Sequence, residues 1–513
     1  MTAAAPAVAS ALPTRWAKII DHTRCIGCHA CSTACKSENE VPLSVNRTYV
    51  KYVDIGTFPH TRRAFQVTRC NQCDDAPCVP ACPTAAMFVR PDGIVDFDKS
   101  RCIGCKACIA ACPYDAIFIN PNDHSAEKCN FCAHRLDTGL EPACVVVCPT
   151  QAILVGDLND GTSEVSRIVH RDAVTVRRPE KETRPKLFYK GAHQATLDPI
   201  AARRPAGGLF MWSEQRSGAR AVVSGHPFTP ANSSAAALLA YDVPHSMPWD
   251  WRVSLYTWTK GIAVGAYLVP LLLVLANLMP PDHALWVWVA PLLGGAFLGL
   301  TGLLLVWDLE HPARFLYIFT KAQHRSWLVR GAYIITAYAA VLAGHVAGSV
   351  FDMAAVHRAL MGPGLVAGLL AAVYTAYLFA QARARDLWQS PLLPPHLAVQ
   401  AILAGAAALT PVAVVIAPGA VDTLLWVVAA SGGAHLLFVG GETTTGHPTA
   451  HARVAVAEMT RGRYRWFFRT GVTLVAIGVG APWFGAGAAV VALIGLLAHE
   501  HAYVQAGQSV PLA

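Results

Sequence analysis

The chain has 513 residues, of which 54% are hydrophobic and 14% are charged, and its formal net charge is +8. This composition is more apolar than a soluble protein of that length requires, and it excludes a single small core. All 16 cysteines lie before residue 149, and long apolar runs dominate after about residue 254. We therefore expect two modules with different solvent preferences, and we attribute the positive charge to membrane-flanking loops rather than to a nucleic-acid partner.

Residues 1–16 form the first predicted segment. They are rich in Ala and Pro, contain no basic residue before Arg15, and include neither a twin arginine nor a clean apolar stretch. A secretion signal needs a basic start followed by an apolar centre. We expect a disordered lead-in that carries no export signal.

The cysteines that follow fall into four groups of four. The first and third groups have the C-x2-C-x2-C-x3-C spacing of bacterial ferredoxins. The second group widens its middle gap to four residues and the last widens it to eleven, and a proline follows the closing cysteine of the last three groups. In chain order the groups are Cys25, Cys28, Cys31 and Cys35; Cys70, Cys73, Cys78 and Cys82; Cys102, Cys105, Cys108 and Cys112; and Cys129, Cys132, Cys144 and Cys148.

A disulfide framework or structural zinc would also use paired cysteines. Disulfide scaffolds rarely bring cysteines together in tight fours, and a zinc site needs no trailing C-x3-C-P sequence. Three closely spaced thiolates can cap one face of an iron–sulfur cube while the fourth ligand comes from elsewhere in the sequence. The spacing therefore predicts [4Fe-4S] clusters, although it leaves open which groups exchange their fourth ligands.

Residues 17–200 resemble the four-cluster electron-transfer subunits of the dimethyl sulfoxide reductase superfamily. The resemblance implies an α+β domain of two dicluster ferredoxin folds, in which the first and last groups exchange closing cysteines, as do the middle two. It implies four [4Fe-4S] clusters, since every ligand position here is cysteine. The implied ligand sets are Cys25, Cys28, Cys31 and Cys148; Cys129, Cys132, Cys144 and Cys35; Cys70, Cys73, Cys78 and Cys112; and Cys102, Cys105, Cys108 and Cys82.

Several basic residues lie beside these cysteines, namely His29, Lys106, Lys128 and His134. Nearby charges and hydrogen bonds can tune cluster potentials. We interpret these four residues instead as surface charges of a domain that docks a partner.

Residues 201–250 have no cysteine and contain two turn-forming stretches, at residues 204–208 and 224–227. We expect a linker that packs at the membrane face. Trp249 and Trp251, just before the first apolar run, are typical of an interfacial anchor.

Residues 251–513 contain the apolar runs. A bilayer core of about 30 Å requires roughly 20 apolar residues in a helix. A soluble helical domain would not need so many consecutive runs of this length. The sequence predicts an all-α membrane domain of eight transmembrane helices, at about 254–279, 284–307, 327–350, 362–381, 395–417, 420–440, 467–483 and 485–503.

An even number of crossings puts both chain ends on one side of the membrane. The loops on the opposite side offer only Arg358, whereas those on the side of the chain ends carry nine basic residues. The positive-inside rule then predicts a multi-pass protein of the cytoplasmic membrane whose iron–sulfur domain faces the cytoplasm. The nine residues are Arg314, Lys321, Arg325, Arg383, Arg385, Arg453, Arg461, Arg463 and Arg465.

Sequence motifs at the ends of the apolar runs resemble the polysulfide reductase membrane-anchor family of the NrfD type. They lie at residues 307–315, 326–331, 387–391 and 507–511, and at Glu442, His447 and Pro448 after the sixth run. The resemblance implies eight or more helices, no haem, and a quinone pocket near the docked iron–sulfur subunit. The usual family arrangement has that subunit on a separate polypeptide, so the fusion is a departure.

Ionisable residues at membrane depth are costly and suggest function. Quinone reduction takes up two protons, so its pocket needs hydrogen-bond donors and a proton path. We expect Asp308, His311 and Arg314, with Lys260 and Tyr256 nearby, to line or feed a pocket for menaquinone or ubiquinone. Alternatively, Asp308 and Arg314 form an interfacial ion pair and His311 caps a helix.

Haem is a competing cofactor, because histidines in membrane helices can ligate it. His345 and His435 are single histidines in separate predicted helices. No further pattern supports haem, so we expect none.

The predicted function is electron transfer between a catalytic subunit and the quinone pool. The chain has no molybdopterin, flavin or nucleotide fingerprint, so any chemistry of its own is quinone oxidation or reduction. By resemblance, the partner is a molybdenum or tungsten bis-pterin oxidoreductase, or alternatively a hydrogenase large subunit. Redox-coupled proton translocation and a purely anchoring role are two further hypotheses.

Overall fold

The computed structural model describes residues 13–57, 59–203 and 236–513. The first two ranges, continued to residue 241, form a domain of short strands and helices that we call the cluster domain. Residues 251–513 form a helical membrane domain. Most of the predicted lead-in and both predicted turn stretches, at 204–208 and 224–227, lie outside the described residues.

The strands of the cluster domain are short and belong to four small sheets. A four-stranded sheet has the order β8-β1-β10-β9, a three-stranded sheet has the order β11-β2-β3, and β4-β5 and β6-β7 are hairpins. The described strands are β1 (Trp16–Asp21), β2 (Thr48–Thr57), β3 (His60–Arg69), β4 (Met87–Val89), β5 (Val95–Phe97), β6 (Ile117–Ile119), β7 (Ala126–Lys128), β8 (Ile153–Asp157), β9 (Val174–Thr175), β10 (Leu187–Lys190) and β11 (Ala237–Tyr241).

Short helices follow the loops that carry the cysteines, and several of these helices begin directly after a residue of such a loop. A small domain with few long helices or strands needs cross-links to hold its core together. Cysteines that bind a common metal cluster can supply them. The described helices of this domain are α1 (Ala30–Glu38), α2 (Cys78–Ala81), α3 (Ala107–Ala111), α4 (Ala133–Leu136), α5 (Ala143–Val146), α6 (Glu164–Arg171) and α7 (Gln194–Leu197).

The predicted linker contributes a strand to the cluster domain. β11 pairs antiparallel with β2, with Ala237 opposite Ile55 and Leu239 opposite Val53. Ala237, Leu239 and Val53 are buried, because β11 covers an apolar edge that β2 would otherwise expose. The cluster domain therefore extends beyond its predicted end at residue 200.

The membrane domain is a bundle of long helices. The described α-helices are α8 (Trp251–Leu275), α9 (Ala290–Trp307), α10 (Tyr317–Thr320), α11 (Trp327–Val350), α12 (Ala354–Gln381), α13 (Leu393–Ile416), α14 (Val421–Thr444), α15 (Ala450–Thr460), α16 (Arg465–Val479), α17 (Ala481–Phe484) and α18 (Ala486–Gln508). A π-helical turn, Leu285–Val289, precedes α9.

Seven helices within the described residues are long and apolar enough to cross a membrane, where eight were predicted. The predicted seventh run, 467–483, instead forms α16 and α17, of fifteen and four residues, separated at Gly480. Pro482 stands in the first turn of α17, where its missing N–H costs no helical hydrogen bond.

Helix α8 lies at the centre of the bundle and touches α13 backbone to backbone. A Cβ atom on Gly265 would lie 1.8 Å from the Ala401 carbonyl oxygen, and one on Gly405 would lie 1.9 Å from the Gly265 carbonyl carbon. Small residues allow this approach, and packing contacts hold helices together where lipid removes the hydrophobic driving force.

The two domains share a buried interface near the start of α8. The Trp249 indole donates to the Cys105 carbonyl oxygen at 3.2 Å, and the Gln508 amide both accepts from and donates to the Trp249 backbone. Trp249 is buried and stacks on Trp388, whereas Trp251 is exposed. The anchor prediction thus suits Trp251, while Trp249 is part of the domain contact.

A charged contact fixes the segment between β11 and α8. His245 Nδ1 bonds to the Asp115 carboxylate, and its Nε2 lies 3.1 Å from Asp242 Oδ1. Burial alone would lower the pKa of His245, but the two carboxylates together raise it from 6.5 to about 9. The protonated imidazole therefore links this segment to the third cysteine group of the cluster domain.

We expect this contact to make stability depend on pH. Because the pKa of His245 is raised in the folded state to about 9, its contribution of about 3 kcal/mol is complete below pH 6.5 and is lost as the pH rises through 9. Thermal unfolding of the wild type and of His245→Gln in detergent should differ at pH 6 and converge near pH 10. A difference that does not change with pH would contradict this assignment.

Candidate functional site

The first and third cysteine groups adopt the same backbone conformation. Gly27 and Gly104 both have φ of 70°, and His29 and Lys106, two residues later, have φ of 60° and 62°. A residue with positive φ turns the backbone sharply, so the sulfur atoms of consecutive cysteines can converge on one point. Each loop then enters a short helix, α1 or α3, that carries the third cysteine.

The structure brings cysteines from distant groups together. Cys25, Cys28 and Cys31 line one cavity with Cys148, and Cys102, Cys105 and Cys108 line a second with Cys82. These are two of the ligand sets that the family resemblance implies. None of the 16 cysteines, all of which lie in the described ranges, forms a disulfide.

The remaining eight cysteines form two further sets. Asn39 donates to both Cys35 Sγ and Cys132 Sγ at 3.7 Å, so these two thiols lie side by side. Burial, followed by the nearby Cys129, Cys144 and Cys132, raises the pKa of the Cys35 thiol to about 12. Burial, followed by Cys70 and Cys112, likewise raises the pKa of Cys73 to about 12.

Hydrogen bonds to several sulfur atoms stabilise the thiolate, the form that ligates iron, against the opposing effect of burial. Backbone N–H groups of Ala86 and Ala152 donate to Cys82 Sγ and Cys148 Sγ at 3.2 Å. Arg69 donates to Cys144 Sγ at 3.0 Å. Burial would raise the pKa of Cys144, but Arg69 and Lys18 lower it to about 7. The donor set therefore suits [4Fe-4S] clusters, whose sulfurs are commonly hydrogen-bonded.

The residues beside the cysteines are not all surface charges, contrary to our interpretation. Lys128 is fully buried, and its ammonium group donates to the carbonyl oxygens of Val95 and Cys129. Lys106 is buried at the domain interface. His134 is exposed and pairs with Glu38, as interpreted. His29 is partly exposed and packs against two tyrosine rings.

An apolar cavity of about 110 Å³ lies where the cluster domain meets the bundle. Its wall includes Cys105 of the cluster domain and Tyr256 and Asp308 of the membrane domain. Helices α8 to α12 and the residues that flank them supply the rest, so the cavity reaches from a cysteine loop into the membrane domain. The other lining residues are Trp249, Val253, Leu305, Val306, Leu309, Phe315, Ile318, Leu328, Ala332, Ile335, Tyr374 and Leu378.

Comparison with known protein families identifies both halves. The family described as Polysulphide reductase, NrfD, matches residues 242–509, and the 4Fe-4S dicluster domain family matches residues 61–158. This protein belongs to the NrfD polysulphide reductase family. Its membrane domain is therefore an NrfD domain, and its cluster domain holds [4Fe-4S] clusters.

The cluster domain is similar to iron–sulfur subunits of reductases. A tetrathionate reductase subunit of Salmonella typhimurium is 43% identical over 209 residues, which are 39% of this chain and 80% of that protein. A polysulfide reductase polypeptide of Wolinella succinogenes is 42% identical over 177 residues, which are 34% of this chain and 93% of that protein. Protein NrfC homolog of Haemophilus influenzae is 45% identical over 180 residues, 34% of this chain and 80% of that protein. The predicted fusion of an iron–sulfur subunit with an NrfD anchor is confirmed.

The third cysteine loop contacts the NrfD domain at the end of α9. Lys106 Nζ donates to the Asp308 carbonyl oxygen at 2.9 Å and lies 3.1 Å from Glu310 Oε1. Arg252 also lies 3.8 Å from Asp308. Burial raises the pKa of Asp308 to about 6, against the lowering effect of Lys106. The carboxyl group at the cavity wall can therefore change its protonation near neutral pH.

The five predicted quinone-site residues separate into three positions. Tyr256 and Asp308 line the cavity. Lys260 lies one layer behind, donates to Ala372 O and Thr375 Oγ1, and stands 4.7 Å from the Tyr374 ring centroid.

The other two predicted residues dock the cluster domain instead. Arg314 donates to the carbonyl oxygens of Lys99 and Cys102, at 3.0 and 2.9 Å, and the His311 backbone donates to Ile103. The alternative pair of Asp308 with Arg314 does not form, because Asp308 faces Lys106 and Arg252.

Two buried histidine groups lie in the NrfD domain. His345 stacks on His357 and contacts Tyr267, whereas His435 contacts His396 and His499. The candidate haem ligands His345 and His435 thus belong to separate groups. His396, His499 and Glu500 were missed in the sequence, and their only local signal is a polar residue near the end of an apolar run.

Proposed function

We propose that this chain transfers electrons between a catalytic subunit and quinone in the membrane, through four [4Fe-4S] clusters. The observation that carries the proposal is the shared wall of the apolar cavity, in which Cys105 of the cluster domain faces the same space as Tyr256 and Asp308 of the NrfD domain. A lipid-soluble redox carrier bound there would stand beside the last cluster. The relatives are reductase subunits, which is consistent with this role.

The proposed ligand sets are those implied by the resemblance, and the convergence of the cysteines supports them. When bound, each cluster supplies a one-electron carrier whose potential depends on charge and hydrogen bonds. Hydrogen bonds from the protein's own residues stabilise the thiolate form of several of these sulfurs. Arg69 and Asn39 do this for the cluster of Cys129, Cys132, Cys144 and Cys35, and backbone N–H groups do it at Cys82 and Cys148.

We expect anaerobically purified protein to contain about sixteen iron atoms per chain, four for each set of four thiolates. Cys112→Ala should remove the cluster shared with Cys70, Cys73 and Cys78 and lower iron by about four atoms, because no other cysteine is free to replace it. Iron and acid-labile sulfide analysis measures both. Equal iron in the wild type and the variant would contradict this ligand set.

The apolar cavity is proposed as the quinone site. Its aliphatic and aromatic lining suits a quinone ring and the start of its isoprenoid tail. Tyr256 and Asp308 line it, and the hydroxyl group of the one and the carboxyl group of the other can each hold a proton for a quinone carbonyl. Behind the cavity wall, the Lys260 ammonium group donates a hydrogen bond to the Thr375 hydroxyl group, and this pair lies in the interior of the bundle.

Filling the cavity should prevent quinone binding without unfolding the protein. Ala332 lines the cavity on α11, and Ala337, one and a half turns further along the same helix, is exposed to lipid. Ala332→Trp should weaken binding of a quinol-site inhibitor by at least about tenfold. Ala337→Trp is the matched control and should bind like the wild type. Fluorescence-quench titration measures both, and equal affinities for all three proteins would exclude this cavity.

A catalytic partner is part of the proposal. Names of the relatives include tetrathionate, polysulfide and arsenate reductase subunits. We infer that the partner is a molybdenum or tungsten bis-pterin oxidoreductase that docks on the cluster domain away from the NrfD domain. Exposed residues around Cys28, such as Ile26, offer an accessible edge for that contact.

We further propose that α16 with α17 makes the eighth crossing, so that Ala513 lies on the side of the cluster domain. Helix α16 runs antiparallel to α18, with Gly471 against His499 and Gly478 against Ala492. The end of α18 bonds to Trp249, at the start of α8. The basic loops cluster on this same side, which the positive-inside rule assigns to the cytoplasm.

A reporter fusion after Ala513 tests this orientation. A C-terminal green fluorescent protein should fluoresce, and a C-terminal alkaline phosphatase should be inactive, because the phosphatase needs the oxidising periplasm for its disulfides. Activity of the phosphatase alone would place the cluster domain outside the cytoplasm.

A further inference from the structure

Three histidines from three helices meet inside the NrfD domain, away from the apolar cavity. His396 of α13, His435 of α14 and His499 of α18 each offer a ring nitrogen, and these three nitrogens lie within 4.8 Å of one another. The ring centroids of His435 and His499 are 4.8 Å apart, and those of His396 and His435 are 4.9 Å apart. We call this set the histidine cluster.

Several ring nitrogens of the histidine cluster have no hydrogen-bond partner among the described residues. His396 Nε2 and His435 Nδ1 are 2.9 Å apart and form its internal hydrogen bond. His435 Nε2 and both nitrogens of His499 are buried without a partner among the described residues. All three side chains are at most 1% exposed. Buried polar atoms are normally paired, so this concentration of unpaired nitrogens points to a missing ligand.

A carboxylate orients one of the rings. Glu442 Oε1 lies 3.3 Å from His396 Nδ1, which turns His396 Nε2 toward the other two histidines. Metal-bound histidines commonly give their second nitrogen to a carboxylate in this way. Glu442 Oε2 and the Gln400 Oε1 atom are also buried without a described partner.

The surroundings can balance a cation. Glu442 is 3% and Glu500 6% exposed, and Glu500 interacts electrostatically with Lys260 and, more weakly, with His396. Phe438 stacks on His396 with ring centroids 5.2 Å apart, and Tyr503 stacks on His499. The Glu442 carboxylate, with Glu500 shared with Lys260, offsets part of the charge of a divalent ion, whose burial without such groups would be unfavourable.

We propose that the histidine cluster is a zinc site. Three neutral imidazoles are a ligand set that Zn²⁺ accepts, with the fourth position left for water or a carboxylate oxygen. Bound there, the ion ties α13, α14 and α18 together and takes one ring nitrogen from each histidine. This site involves no cysteine and does not depend on the proposed quinone function.

The test is metal analysis of the full-length protein, grown with added zinc, purified anaerobically and washed with a weak chelator. We expect about one zinc per chain, coordinated by nitrogen at about 2.0 Å in X-ray absorption spectra. Zinc bound wrongly in cysteine sites would instead show sulfur at about 2.3 Å. Absence of zinc, or sulfur coordination alone, would overturn the proposal.

Substitutions of single residues test where the ion binds. His435→Gln and His499→Gln should each lose the zinc while iron content stays unchanged, and Glu442→Gln should retain zinc about tenfold less tightly in a chelator titration. His501→Gln, two residues from His499 on the same helix, and His345→Gln, in the other histidine group, should keep it. Iron content and gel-filtration profile report whether each variant is folded. Equal zinc in folded His435→Gln, His499→Gln and wild type would overturn the site.

Discussion

The buried ammonium group of Lys106 holds the two halves of this protein in register. Lys106 lies in the third cysteine loop, between Cys105 and Cys108, and ends at the carboxyl-terminal turn of α9, where it meets the Asp308 carbonyl and the Glu310 carboxylate. A cation at the end of a helix complements the helix dipole, and burial strengthens the attraction. Because the same loop supplies Cys105 to the cavity wall, this contact sets the spacing between the cysteine sulfurs and the space proposed for quinone.

In both domains, buried charged side chains lie beside groups that stabilise their charge. In the cluster domain, Arg69 and Lys18 approach the Cys144 sulfur, and Arg47 pairs with Glu127. In the membrane domain, Lys260 is satisfied by a carbonyl and a hydroxyl oxygen. An unpaired buried charge is far costlier than a paired one, so each of these groups has a specific partner. The histidine cluster brings together several buried nitrogens that have no partner among the described residues.

The structure differs from several interpretations of the sequence, and it gives a physical reason for each difference. The sequence favours surface positions for Lys106 and Lys128, since lysine is seldom buried, but a domain made of loops around cysteines has many free carbonyl oxygens that an ammonium group can satisfy. Arg314 is expected near quinone, yet it donates to the carbonyl oxygens of Lys99 and Cys102. The run at 467–483 is expected to be one helix, but Gly480 and Pro482 divide it.

The sequence by itself determined the four cysteine groups, the boundary between a polar and an apolar half, and the position of nearly every long helix, because these depend on short-range spacing and on runs of one residue type. Only the tertiary structure decided that β11 joins the cluster domain, that Cys105 faces the apolar cavity, and that His396, His435 and His499 meet. Those residues are tens to hundreds of positions apart in the sequence. Their proximity follows from how whole elements pack, and no local pattern encodes it.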